Sequence, residues 1–382
     1  MRLAILLAAC AIAGSPCASA SSDADGTARV IAGYSTAGAQ RDYAKEISAY
    51  WTQYESRIGR PMRTWGCREL GRAEGVTVFY PFSGPDLPTA YQFFPDADRY
   101  VLVANEKAEA PPRLEGLSSD ELANYLAAWR KAWKLYGALG FFRTDDLEAV
   151  ASARGTGTGM TGPLMAFAVR LGFDIDAVEP IHLDAGANDV VPLQGSATAP
   201  DRWDSVRLTL RKGGRRVIVD YLSLDLRDGW LVQLPGAQGW IDRMAGNPTL
   251  LKAASHLPQD PEFSIVRNSI VWNAPIVVQD ETGIGYGALA KEFDVRLYGR
   301  FTKPNSSFSP DLQRDLASAY RSGGAAVKPL PFRFGYEKNA GSAMQVAVRT
   351  DRADRAAGNG SASRPGLEPG SCGLTVRGER LR

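Results

Sequence analysis

Two short loops carry most of the residues whose types and spacing could do chemistry. The first is Tyr80-Pro81-Phe82-Ser83-Gly84-Pro85-Asp86, which follows an aromatic and β-branched run from Val76. Pro81 and Pro85 fix φ, and Gly84 allows a sharp turn. Such a loop could hold Asp86 as a catalytic carboxylate, or Tyr80 and Ser83 as ligand contacts. The second is Gln279-Asp280-Glu281-Thr282-Gly283-Ile284-Gly285-Tyr286, after the apolar run Pro275–Gln279. Adjacent Asp280 and Glu281 could supply an acid and a base, and Tyr286 could contact a ligand. Packed turns with Asp side chains bonding their own backbone account for both segments and are the expected reading. Asp145-Asp146 and the pair Asp184 and Asp189 read as solvated loops or caps. Leu330–Tyr336 alternates aromatic and other residues. Phe334 there could stack on a sugar or base, although a half-buried strand looks the same.

Other motifs are weaker. Gly157-Thr158-Gly159-Met160-Thr161-Gly162 matches a phosphate-binding glycine pattern before a helix. No committed strand precedes it, and no acidic ribose partner follows at the right distance, so no cofactor is expected. The two histidines, His182 and His256, have no ligand partner at i+4. H-E-x-x-H, C-x-x-C and G-x-S-x-G are absent, so no metal site is expected either.

The elements that must position these loops follow from periodicity. Gln40–Gly59 is predicted helical, as is the segment after Ser118, whose Ser118-x-x-Glu121 is a capping box and whose stripe is Leu122, Leu126, Trp129, Trp133 and Tyr136. Gly140 should stop that helix. Pro163–Leu171, Leu250–His256, Pro261–Ile270 and Pro310–Tyr320 are also predicted helical. Strands are predicted at Val76–Phe82, Arg99–Ala104, Ile175–Leu183 and Pro275–Gln279. A hairpin is predicted at Val206–Leu210 and Arg216–Leu222 around Gly213-Gly214. Phe332–Tyr336 and Met344–Val348 are predicted to close the sheet as a last pair. This order has no repeating βα unit. It predicts an α+β fold with a mixed or antiparallel sheet, hairpins and several amphipathic helices.

The 382 residues are 45% hydrophobic with a net charge of +2, which excludes global disorder and a generic nucleic-acid binder. Arg2, the apolar run Leu3–Ala13 and Ala18-Ser19-Ala20 read as an export signal cleaved after Ala20. Leu7-Ala8-Ala9-Cys10 also fits a lipobox, which would make Cys10 a lipid anchor; this is the alternative. The expected location is periplasmic or secreted, or else lipid-anchored, with no transmembrane segment. Residues 21–39 are expected as a flexible lead-in, 40–350 as one unit with a weak lobe boundary near 186–201, and 351–382, which lacks aromatics, as a disordered tail. Of the remaining cysteines, an oxidising compartment would permit a bond between Cys67 and Cys372. The preferred expectation is a buried Cys67 thiol and an incidental Cys372.

Five segments occur in a distinctive order: YPFSGPD at 80–86, FFP at 93–95, QDETGIGY at 279–286, LYGRFTKP at 297–304 and PLPFRFGY at 329–336. Together they resemble an uncharacterised family of bacterial exported proteins and lipoproteins. That family's third motif reads QD-S/D-SGIPY, where this chain has Thr282 and Gly285. The resemblance spans roughly residues 40–350. It implies export and one conjoined unit, and carries no activity with it. The expectation is an exported envelope protein that binds a ligand or partner without catalysis. The alternative is a hydrolase of an envelope polymer working through Asp86, Asp280 and Glu281.

Overall fold

Ten strands form one sheet in the computed structural model, which describes residues 17–35, 40–71, 74–140, 159–184, 189–193, 203–323, 326–336 and 342–350. In chain order they are β1 Thr77–Pro81, β2 Arg99–Ala104, β3 Asp174–Asp184, β4 Asp189–Pro192, β5 Ser205–Lys212, β6 Arg215–Ser223, β7 Thr249–Leu251, β8 Ile276–Gln279, β9 Phe293–Gly299 and β10 Ala343–Arg349. Their order across the sheet is β4-β3-β5-β6-β2-β1-β7-β8-β10-β9. The five central strands, β6-β2-β1-β7-β8, run parallel. Antiparallel ladders flank them on both sides. The fold is α+β with a mixed sheet. The parallel centre is the feature that the sequence pattern did not announce.

Helices cover both faces of that centre, as parallel strands require. Val78 and Tyr80 of β1 enter one core, with Trp65, Trp129, Trp133 and Phe167. Phe79 enters the other, with Trp240, Val266 and Ile270. The helix Ser119–Leu139 matches expectation closely. Ser118 and Glu121 form the reciprocal capping box, and Gly140 ends the helix at φ 75°. The β5–β6 hairpin turns at Gly213 and Gly214, both at positive φ.

Several expectations are corrected. The lead-in contains the helix Cys17–Ile31, whose Ala24, Ala28 and Ile31 are buried. Small alanines let it pack closely against the helix Thr161–Arg170 and β3, and Arg29 bonds Asp25 and Asp174. Leu250–His256 is not helical: β7 ends at Leu251, and Ala253, Ser255 and His256 all adopt left-handed φ. Phe332–Tyr336 is not a strand. Its Phe332 and Phe334 pack edge-on against Phe93, and β10 pairs instead with β8 and with β9. The helix placed at Pro310–Tyr320 begins only at Arg314. Cys67 is half-buried and disulfide-bonded rather than a buried thiol. Asp189 is solvent-exposed at its side chain, as expected, and also pairs with Arg99 at 3.3 Å beside the fully buried Asp220. Asp145-Asp146, Cys10, Cys372, residues 351–382 and most of 186–201 lie outside the described residues. Among the described residues no helix is long and apolar enough to cross a membrane.

Candidate functional site

Parallel strands deliver all their following loops to one edge of a sheet. Here β1 leads through the helix Leu87–Phe93 to β2 on one side, while its neighbour β7 leads through the helix Ser264–Asn273 to β8 on the other. The two chains diverge as they leave the sheet, and a crevice opens between them at the carboxyl ends. Open parallel sheets bind ligands at this kind of switch point. A cavity of about 410 Å³ occupies it. Its walls come from the loops after β1 (Phe82–Asp86), β2 (Asn105, Glu106), β6 (Leu224, Leu226) and β7 (Lys252–Ser255), with Phe263 and Tyr336.

Asp86 and Lys252 form its floor. Lys252 is 4% exposed and donates to Asp86 Oδ2 at 2.9 Å, Thr89 Oγ1 at 2.8 Å and the Gly140 carbonyl at 2.8 Å. An ammonium has three donors, so this one is fully used. Asp86 also accepts from the Tyr80 hydroxyl at 3.1 Å and caps the helix Leu87–Phe93 through the Thr89 amide. Burial, reinforced by the Asp86 charge, pushes the Tyr80 hydroxyl well above its usual pKa, so it stays a proton donor.

Asp280 holds the far wall. It is wholly buried and accepts from the amides of Ala253 at 2.7 Å and Thr282 at 2.8 Å, and from the Thr282 hydroxyl at 2.6 Å. Burial raises its pKa against the pull of these bonds. Thr282 in turn receives the Ala254 amide at 2.8 Å. The loop after β8 therefore grips the loop after β7 and fixes its unusual backbone. Gln279 closes the same turn by bonding both the amide and the carbonyl of Ile284. Gly335, at φ 71°, lies so close that a Cβ there would stand 2.3 Å from Asp280 Oδ2.

The backbone around the cavity is strained. Non-glycine residues at positive φ include Phe82 in the β1 loop, and Ala253, Ser255 and His256 in the β7 loop. Each such residue costs on the order of 1–3 kcal/mol and persists only where its surroundings enforce it. Ser255 is exposed and lies 2.8 Å from the Tyr336 hydroxyl, which itself donates to the Ala253 carbonyl at 3.0 Å. The Ser255 proton therefore points at Tyr336, and burial raises the tyrosine's pKa. That pair offers a hydroxyl to a ligand and no base to activate the serine.

Of the residues singled out by sequence, Asp86 and Ser83 line the cavity. Tyr80 and Phe334 stand behind it: Tyr80 holds Asp86, and the Phe334 ring lies 6.0 Å from Lys252 Nζ. Asp280 and Glu281 are buried and are not lining residues; the Glu281 carbonyl accepts from Gln313. Tyr286 is elsewhere, packed with Leu316 and Phe301 in a separate cluster. Lys252, Ser255, Asn105, Glu106 and Phe263 were not anticipated, whereas Tyr336 ends the aromatic segment Leu330–Tyr336 singled out above. The first two lay inside a segment that reads as helix.

The glycine-rich motif has a packing role. A Cβ on Gly159 would lie 2.0 Å from the Ala108 carbonyl, and Thr161 donates to that same carbonyl at 2.8 Å. Close backbone approach explains Gly159; Gly157 lies outside the described residues. Among the described residues no cluster of His, Cys, Asp and Glu could hold a metal.

Comparison with known proteins adds no relative: no family model, no curated protein and no solved structure matches the chain.

Proposed function

We propose that this is an exported bacterial envelope protein that binds a small molecule, without catalysis, in the cavity between the β1 and β7 loops. The observation that carries the reading is the fate of the two aspartates. Asp86 is spent on Lys252, Tyr80 and a helix cap, and Asp280 on three donors from neighbouring loops. Their work is to hold open a cavity of about 410 Å³, within the roughly 300–1,000 Å³ of small-molecule sites. A glycoside hydrolase of the two-carboxyl kind places one carboxyl on each side of the scissile bond. Asp280 and Glu281 lie outside the cavity lining, so that pair is not assembled there.

Export is supported by the N-terminal apolar run with its Ala18-Ser19-Ala20 site and by the disulfide at Cys67, a bond suited to an oxidising compartment. Lipid anchoring through Cys10 remains the alternative mode of residence.

The test is a small-molecule thermal-shift screen of the wild-type chain and Asn105→Trp. Asn105 is exposed at the cavity mouth, so the larger ring obstructs entry without touching the core. Compounds that raise the midpoint of the wild type and not of the variant support the reading. A screen whose positives act equally on both contradicts it.

A further inference from the structure

Among the described residues, the cavity lining has an unbalanced charge. Lys252 is the cation among them, and that charge is matched by Asp86 and closed off from the ligand by three acceptors. The neighbouring charges outside the lining are also matched: Lys107 by Asp204, and Asp225 by Arg227. Glu106 is different. It lines the cavity, is half-buried, and has no ion-pair partner among the described residues. Burial first, and then the Glu106 charge, raises the pKa of the Tyr221 hydroxyl, which donates to the Glu106 carbonyl at 2.8 Å. Among the other lining residues, Phe82, Phe263, Leu224 and Leu226 are apolar, and Ser83, Ser255, Asn105 and Tyr336 are neutral polar groups. Phe82 and Phe263 meet edge-to-face at 5.5 Å. An aromatic pair and a carboxylate lining one cavity is the chemistry that recognises an ammonium: the carboxylate neutralises it, an aromatic face attracts it, and the apolar wall takes the carbon body.

We infer that the ligand is a small organic cation, an ammonium on an apolar body, with its charge held by Glu106. This rests on the cavity being a binding site, and the experiment separates the two claims. The full chain is titrated by calorimetry and by thermal shift at pH 7 with four probes of one length: hexyltrimethylammonium, hexylammonium, hexanol and hexanoate. The ammonium probes should bind about tenfold or more tighter than hexanol. Glu106→Gln should erase that margin, and Glu106→Lys should turn the preference toward hexanoate. Equal binding of hexanol, or a wild-type preference for hexanoate, overturns the cation assignment and leaves the cavity standing, provided Asn105→Trp abolishes the signal. Silence from all four probes, or binding indifferent to Asn105→Trp, overturns both claims.

Discussion

Lys252 and Asp86, 166 positions apart in sequence, meet at 2.9 Å beneath the cavity. The contact ties the end of β7 to the loop after β1; a second Lys252 donor reaches Thr89 in the helix Leu87–Phe93, and the third reaches the Gly140 carbonyl at the end of the helix Ser119–Leu139. One ammonium thus fixes three segments at the edge where the central strands end.

Removing one partner of a buried pair should cost far more than the pair is worth. Lys252→Met leaves Asp86 buried without its counter-ion and should lose about 3–5 kcal/mol in urea denaturation. Adding Asp86→Asn should recover part of that loss, because Asn still caps the helix and no longer carries charge. Additive losses would mean the two residues act independently.

Asp280→Asn should also destabilise. An amide nitrogen would face either the Ala253 amide or the Thr282 donors, leaving a buried donor unmet at about 1–3 kcal/mol. A variant as stable as the wild type would show that Asp280 is not the brace of the β7 loop.

Two glycines separate backbone freedom from close approach. Gly84 at φ 53° has open space around its Cβ position, so Gly84→Ala should cost about 1–2 kcal/mol, the conformational strain of a left-handed φ. Gly335→Ala adds a collision with Asp280 Oδ2 and should cost clearly more. Equal losses in denaturation would remove the packing argument.

His256 predicts a pH effect. Burial lowers its pKa below the usual 6.5. Its Nδ1 lies 2.9 Å from the Gln259 amide nitrogen, which also bonds the Gly283 carbonyl, so Nδ1 accepts and Nε2 carries the proton. The unfolded chain therefore binds a proton at higher pH than the folded one. Stability should be full above about pH 6.5 and fall as pH drops below it, levelling at the folded pKa. His256→Asn, suited to left-handed φ, should flatten the thermal midpoint between pH 7 and 5. An unchanged slope would assign the effect to other groups.

Local signals made much of this fold legible. The Ser118 capping box and apolar stripe specified the helix at 119–139, and Gly213-Gly214 specified the β5–β6 hairpin. The runs at Val76, Arg99 and Pro275 became β1, β2 and β8. The site was less legible because tertiary contacts make it. β7 has three residues, too few to show a period, and the Lys252-Ala253-Ala254 that follows favours helix by propensity. Donors and acceptors on Asp280, Thr282 and Tyr336 override that preference. Asp86 was visible as a loop carboxylate, but nothing local links it to Lys252. Phe332–Tyr336 has a strand's alternation, yet those aromatics pack against Phe93 and Trp65, and Gly335 turns away at positive φ.

On the proposed function, the crevice between the β1 and β7 loops takes a ligand. The most direct measurement is a crystallographic fragment soak of the wild-type chain. Fragment density is expected in the cavity, against Phe82 and Phe263 and within reach of Ser255 and Glu106. Fragments that bind elsewhere, with only solvent in that cavity, would contradict it.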